Sequence, residues 1–351
     1  MRKEHLLVIR FSAMGDVAMV VPVVYSLAQR YPDTRITVLS RGFARPLFTN
    51  LAPNVNFMEA DIKHEYHGIR GLNALYRRLA AKQFTAIADL HGVLRSGYLR
   101  LRFNLNHYPV AHIDKHRKGR RRITSKKHKE LTQQPTSFQN YLDVFSKLGY
   151  PVDIQFTSVF SKEGGDLSVL PEVMNVKKND EHWIGIAPFA VHEGKTYPIE
   201  QMEKVLQQLL NHDEHYRIFL FGRGEKERQC FTEWCKKYDR CIYVAPHLES
   251  LEQELIVMSH LDVMISMDSA NMHLASLTAT PVVSIWGATH PYAGFMGWNQ
   301  SEENVVQVDL PCRPCSVYGQ KPFFRGDFAC LNNIEPETIF RKAIAVIESK
   351  D

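Results

Sequence analysis

No run of about 18 apolar residues occurs in this sequence, so no ordinary transmembrane helix is expected. No cysteine precedes Cys230; all six (Cys230, Cys235, Cys241, Cys312, Cys315 and Cys330) lie in the second half. Arg10 interrupts the apolar stretch from Leu6 to Phe11, and no small-residue cleavage site follows, so no secretory signal is expected. The cysteines are therefore read as thiols in a reducing cytoplasm rather than as a disulfide framework. No Gly-x-Gly-x-x-Gly opens either half, which disfavours an NAD-dependent oxidoreductase. Low-complexity tracts and short internal repeats are also missing.

What is present is an ordinary globular composition. The 351 residues are 44% hydrophobic and 23% charged, enough chain for two domains. The net charge of +5 is modest but uneven. Lys115 to Lys129 holds nine Lys or Arg residues and no acid. Such a run suits an anionic partner, and its plainer reading is a solvated loop.

The stretch 262–287 organises the rest. Val263 to Met267 is a short apolar run of the buried parallel-strand type. Asp268 and Ser269 are N-cap residue types, and Met272, Ala275, Ser276 and Ala279 recur at helical spacing. Pro281 ends that helix, and Val282 to Trp286 is a second strand. Strand, turn and helix together put a helix N-terminus at the carboxyl edge of a parallel sheet, where a phosphate or diphosphate can bind. A well-capped crossover helix of any α/β protein would look the same.

Along the chain, strands are expected at 5–11, 35–39, 55–58, 85–90 and 110–113, with helices at 17–30, 72–82, 93–102 and 137–148. Pro22 should kink the first helix or delay its start. Residues 151–180 are weakly periodic and read as a linker. Strand–helix alternation restarts at Trp183, with strands at 183–187, 216–221, 241–244, 263–267 and 282–285. Helices are expected at 198–211, 224–238, 248–259 and 269–279. The pattern predicts an α/β protein with two Rossmann-like domains whose parallel sheets face across a cleft: 1–165, then 166–335, then a helix at 336–351 that packs back on the first domain.

Four stretches together resemble the ADP-heptose:lipopolysaccharide heptosyltransferases. Ile9-Arg-Phe-Ser-Ala-Met-Gly-Asp-Val, with Pro22 beyond it, resembles the family's opening. Asp89-Leu-His-Gly-Val-Leu-Arg-Ser is similar to its Asp-x-Gln-Gly-Leu-x-Lys-Ser, with His91 for Gln and Arg95 for Lys. Gly194-Lys-Thr-Tyr-Pro198 is similar to Lys-x-Trp-Pro, with Tyr197 for Trp, and Asp268 to Ser276 resembles the segment that holds the nucleotide-sugar diphosphate. The order and spacing of the four carry the resemblance, which runs from residue 9 to about 330.

The resemblance implies a GT-B fold and an inverting, metal-independent glycosyltransferase that uses no cofactor. It would move heptose or a related sugar from a nucleotide-diphosphate sugar to an anionic lipid-linked core acceptor. Asp16 is then the base for the acceptor hydroxyl, against its plain reading as a helix N-cap. Lys195 neutralises the leaving diphosphate, against its reading as an ordinary exposed lysine. Gly15, the Ser269, Ala270 and Asn271 amides, Asp268 and His273 fall on the donor side. Asp268 is expected to cap the helix or meet sugar hydroxyls, and a satisfied buried histidine is an equal reading of His273. Phe221-Gly-Arg-Gly-Glu-Lys-Glu offers Glu225 or Glu227 for the ribose, and the sequence does not choose between them. His91, Arg95, Arg117 and Arg120 are expected on the acceptor side, with the basic loop also meeting the cytoplasmic face of the inner membrane. Nucleic acid is not expected as a partner.

Cys312, Cys315 and Cys330 are three ligands where structural zinc usually takes four, and the position of a further cysteine in relatives is Phe323 here. Buried thiols, or a redox-labile pair in oxidising conditions, are favoured over metal. A nucleotide-sugar epimerase of the same fold and a non-catalytic anion-binding protein stand as the alternatives.

Overall fold

The computed structural model describes residues 4–320 and 325–350. The chain divides into two compact units, residues 1–116 with 135–157, and residues 117–134 with 158–351. The boundary after Thr157 falls inside the weakly periodic stretch expected to be a linker.

In the first unit, β1 (His5–Ile9) leads through α1 (Met14–Ala18) and α2 (Val20–Arg30) to β2 (Arg35–Ser40). The single helix expected at 17–30 is thus two, broken at Met19, with Pro22 in the first turn of α2, where its missing N–H costs least. Then come α3 (Arg45–Phe48), β3 (Val55–Glu59), α4 (Gly68–Ala80), β4 (Ala86–Asp89), α5 (Leu94–Leu105) and β5 (Val110–His112). The five strands are all parallel, in the order β3-β2-β1-β4-β5. Leu7 and Ile9 of β1 pack with Leu75 and Leu79 of α4 and with Leu99 and Phe103 of α5.

The basic segment departs from expectation. Residues 117–123 form a short helix, α6 (Arg117–Ile123), rather than a loop, and the segment clusters with the second unit, not the first. Lys129 Nζ donates to the carbonyls of Cys312 (2.7 Å) and Pro314 (2.9 Å), and Gln134 N donates to Tyr292 O. The chain then returns to the first unit with α7 (Ser137–Lys147), capped by Thr136, whose hydroxyl accepts from Gln139 N.

The second unit contains β6 (His182–Ala187), α8 (Ile199–His212), β7 (Tyr216–Leu220), α9 (Glu225–Lys237), β8 (Cys241–Tyr243), α10 (Leu251–Ser259), β9 (Val263–Met267), α11 (Ala270–Leu277), β10 (Val282–Ile285), β11 (Val305–Val306), α12 (Ala329–Asn332) and α13 (Pro336–Glu348). Its six parallel strands run in the order β11-β10-β9-β6-β7-β8. The terminal helix α13 packs on α8, β9 and β10 of this unit, where the sequence reading sent it to the first. Ile339, Ala343, Ile344 and Ile347 form its buried face and join the second core, so burial rather than chain position decides where it lies.

Both sheets change direction at their first strand. In the first, the chain moves outward from β1 to β2 and β3, then returns to β4 on the other side of β1. In the second it moves from β6 to β7 and β8, then returns to β9. The carboxyl ends of β1 and β4, and of β6 and β9, are therefore the places where an open α/β sheet leaves a crevice for ligands.

Candidate functional site

At the first reversal, the residue after β1 is Arg10. It is buried, and every arm of its guanidinium is used. Nε donates to Ser12 O (2.8 Å), Nη1 to Leu90 O (2.7 Å), and Nη2 lies 2.6 Å from Asp16 Oδ2. The Leu90 contact ties the end of β1 to the end of β4. Asp16 is the third residue of α1, and its Oδ2 also accepts from Ala13 N at 3.2 Å. An acid here meets the positive end of the helix as well as the arginine. Gly15 beside it is buried. Tyr141 of α7 supports the turn from behind: its hydroxyl donates to Asp16 O at 3.1 Å, and Arg10 lies over its ring.

The turn after β4 is built on Asp89, which is fully buried. Its Oδ1 accepts from His91 N (3.0 Å) and Gly92 N (2.9 Å), and Oδ2 lies 3.3 Å from Arg100 Nη1. Gly92 has φ +57°, the left-handed region that glycine takes without strain. The turn brings His91 Nε2 to 3.4 Å from Ser12 Oγ and its ring edge-on to Phe11. Burial, and then the charges of Arg10 and Lys115, push the His91 pKa down to about 3, so its ring is neutral at ordinary pH. Arg95 is exposed on the first turn of α5.

At the second reversal, Lys195 follows β6 on a short turn and Asp268 follows β9. Lys195 Nζ lies 2.8 Å from Asp268 Oδ2, with 4% of the carboxylate side chain exposed. The contact is an ion pair without the alignment of a hydrogen bond. Asp268, expected to cap the helix or meet sugar hydroxyls, is paired here with Lys195, as a buried carboxylate takes the nearest cation.

Three anchors fix the lysine turn. Gly194 O accepts from Ala288 N at 2.8 Å, Tyr197 is fully buried with its hydroxyl donating to Ile334 O at 2.7 Å, and Tyr197 N approaches Met267 Sδ. Gly287 makes this possible, because a Cβ there would sit 2.7 Å from Gly194 O. Ser269 is the N-cap of α11, but its hydroxyl makes no capping bond and lies 3.3 Å from Ser266 Oγ. The first turn of α11, with Ala270 and Asn271, begins two residues after Asp268, and a helix N-terminus of this kind can receive an anion. His273 is buried on the same helix.

Glu225 is exposed on the first turn of α9, paired with Arg228 at 2.5 Å and accepting from Gln229. Glu227 folds back over the Gly222–Gly224 turn. Arg117 is exposed, whereas Arg120 is buried with its guanidinium 4.4 Å above the Phe295 ring. Arg120 was expected to meet an acceptor from a loop of the first domain; it is instead a packing residue of the second unit, because an arginine covers an aromatic face better than it stands alone on a short helix.

Cys315 and Cys330 are buried and Cys312 is partly so; burial pushes the Cys330 thiol up to about 11. Among the described residues no three His, Cys, Asp or Glu side chains are grouped as metal ligands. Phe323 lies outside the described residues.

Sequence reasoning missed Arg10, Tyr141 and Arg313. Arg313 is buried, and its Nε and Nη2 hold the carbonyls of Gly287, Trp286 and Thr289 after β10. For Arg10 a signal existed: one arginine at the end of an otherwise apolar strand. Taken only as a break in hydrophobicity, it hid a buried cation.

The model of glycosyltransferase family 9 (heptosyltransferase) matches residues 72–322. A lipopolysaccharide heptosyltransferase 1 of Campylobacter coli is 23% identical over 345 residues, covering 95% of this chain and 96% of the relative. A lipopolysaccharide core heptosyltransferase of Haemophilus influenzae is 21% identical over 293 residues, covering 82% of this chain and 80% of the relative. Among solved structures, the E. coli ADP-heptose lipopolysaccharide heptosyltransferase II superimposes with a TM-score of 0.69 at 18% identity, over 99% of both chains. That likeness shows the fold, two parallel α/β domains of the GT-B type.

Proposed function

The chain belongs to glycosyltransferase family 9, and from that membership we propose that it transfers heptose from ADP-heptose to the inner core of a lipopolysaccharide precursor, with inversion and without a metal ion. The observation that carries the reading is the pair of carboxylate–cation contacts, Asp16–Arg10 and Lys195–Asp268, each at the reversal point of its own sheet.

Asp16 takes the proton of the acceptor hydroxyl as its oxygen attacks the anomeric carbon. The bond from that carbon to the diphosphate breaks on the opposite face, so the configuration inverts. Lys195 and the first-turn amides of α11, from Ser269 to Asn271, take up the charge that develops on the leaving diphosphate. Asp268 holds the lysine until the diphosphate arrives. His273 and Gly15 complete the donor side, and Glu225 or Glu227 meets the ribose. His91 and Arg95 face the acceptor, an anionic lipid-linked saccharide, at the cytoplasmic face of the inner membrane.

The test is to incubate the protein with ADP-heptose and a heptose-free lipopolysaccharide core, and to follow ADP release and the anomeric configuration of the product. Transfer that persists in EDTA and gives the inverted product supports the reading. Transfer that requires added Mg²⁺ or Mn²⁺, or that retains configuration, overturns the mechanism. Transfer only from another nucleotide sugar overturns the donor.

A further inference from the structure

Helix α5 is amphipathic in both directions. Its inner face, Ser96, Leu99 and Phe103, is buried against the first sheet. At about 100° per residue, Leu94, Tyr98, Leu101 and Leu105 fall on one line along the opposite side. Burial in the first unit claims none of the three leucines: Leu94 is 94% exposed, Leu101 54% and Leu105 66%. A single exposed leucine means nothing, but a row of them on one helix is an interaction surface. The neighbouring helix α4 adds Ile69, 72% exposed, and the two helices are joined by Arg102 Nη1 donating to Asn73 Oδ1 at 2.5 Å.

The charge along this stretch is predominantly of one sign. From Tyr66 to Ile113 the sequence carries Arg70, Arg77, Arg78, Lys82, Arg95, Arg100 and Arg102, and Asp89 is its one acid. Asp89 is fully buried inside the turn described above and presents nothing to solvent. Apolar side chains on one helix face, flanked by arginines with long aliphatic stems, with the exposed acids Glu65 and Asp114 only at the two ends of the stretch, are what an anionic bilayer surface recognises. A second copy of the chain would bring mostly arginines against arginines, with only Glu65 and Asp114 at the ends of the stretch to answer them.

We propose that α5, with the adjoining end of α4, is the face by which this protein lies on an anionic lipid bilayer, inserting Leu94, Leu101 and Leu105 between headgroups. This deepens the reading of a lipid-linked acceptor and rests on it for its purpose. Leu94 adjoins Arg95 and follows His91 by three residues, so the membrane-facing row starts at the candidate acceptor residues. The basic segment 115–129 is not needed for this face: Arg120 is stacked on Phe295, and Lys129 is held by two carbonyls.

The experiment uses the full chain and vesicles alone, with neither donor nor acceptor, so that its failure is separate from failure of the transfer reading. Flotation is compared on phosphatidylcholine vesicles with and without phosphatidylglycerol. Wild type should float only with the anionic lipid, and binding should fall as salt rises. The triple variant L94Q/L101Q/L105Q changes only exposed positions and should keep its melting temperature. It should lose about tenfold in vesicle affinity. Arg95→Gln should lose about fivefold, and V176Q, an exposed apolar residue of the second unit, should lose nothing. Equal flotation of wild type and the triple variant overturns the proposal. So does a wild-type dimer in light scattering that the triple variant dissolves, since the face would then join two copies.

Discussion

The two reversal points hold the same parts in different mountings. Each has a carboxylate beyond a central strand, at the start of a helix, within 2.8 Å of a cation. In the first unit the cation is an arginine that also grips Ser12 O and Leu90 O, so it cannot leave without breaking the turn. In the second it is a lysine, a point charge on a flexible stem, held by one poorly aligned contact. The arginine fixes its carboxylate in place. The lysine can exchange its carboxylate for another anion. The first pair suits a group that must stay oriented; the second suits a charge that moves onto a ligand. The same difference fits a base on one side of a transfer reaction and a leaving-group acceptor on the other.

Asp16→Asn tests the fixed pair most severely. The amide keeps the size of the side chain and can still accept from Ala13 N, but it has no basicity. Turnover should fall on the order of a hundredfold or more, while donor affinity and melting temperature change little. If turnover stays near wild type, Asp16 is only a helix-start residue and the comparison loses one side.

The exchangeable pair predicts a double effect. Lys195→Ala strips the partner from a carboxylate that is almost wholly buried. The free protein should lose about 3 kcal/mol of stability, as when one member of a buried ion pair is removed. It should also bind ADP or an ADP-sugar more weakly and transfer more slowly. Adding Asp268→Asn should recover much of the stability without recovering donor affinity, because the orphaned charge is gone but the phosphate ligand is not. Thermal melts with and without ADP separate the two effects. Recovery of donor affinity in the double variant would show that Lys195 serves Asp268 rather than the diphosphate.

These contrasts also show what could be read in the sequence. Val263 to Met267 was legible to the residue and Val282 to Ile285 to within one, because buried parallel strands are continuous apolar runs. The break near Pro22 was legible because proline has a fixed local cost. Helix α6 was not: its only buried residues are Arg120 and Ile123, and its arginine packs on Phe295, 175 positions further along. Lys195 and Asp268 could each be singled out, but their contact depends on β6 and β9 being neighbours, which is a fact of topology. Arg10 was hidden for the opposite reason, since a buried cation in an apolar strand looks like an interruption until its carbonyl acceptors are seen.

His91 offers a smaller test, on the fixed side. Its pKa is held down to about 3 from an ordinary 6.5, mainly by burial. The unfolded chain therefore binds a proton below about pH 6.5 that the folded chain refuses. Stability from this group is present above that pH and is lost as pH falls toward 3. His91→Gln should leave stability at pH 7 nearly unchanged and make the fold about 1–2 kcal/mol less sensitive between pH 7 and 5. His290, held down to about 4 by burial and Arg313, leaves part of the acid sensitivity in place. Urea melts at the two pH values measure the difference, and identical acid losses in wild type and variant would remove His91 from the account.

The smallest expected effect divides the arginines of α6 among themselves. Arg120 is 6% exposed and lies over Phe295, whereas Arg121 and Arg122 are exposed and Arg122 reaches Glu130 only at 3.8 Å. Arg120→Leu removes a buried cation–π contact and should cost about 1 kcal/mol. R121Q/R122Q removes two solvated charges and should leave the melting temperature within a degree or so of wild type, because exposed charges add little to a fold. Any effect of the double variant should then be on an anionic acceptor alone, as a raised acceptor KM that converges with wild type at high salt. The two variants must be made separately, since a triple neutralisation would mix a packing defect with a charge effect. If Arg120→Leu is neutral and R121Q/R122Q lowers the melting temperature, the helix is held by its outer charges, and the burial seen at Arg120 is not what stabilises it.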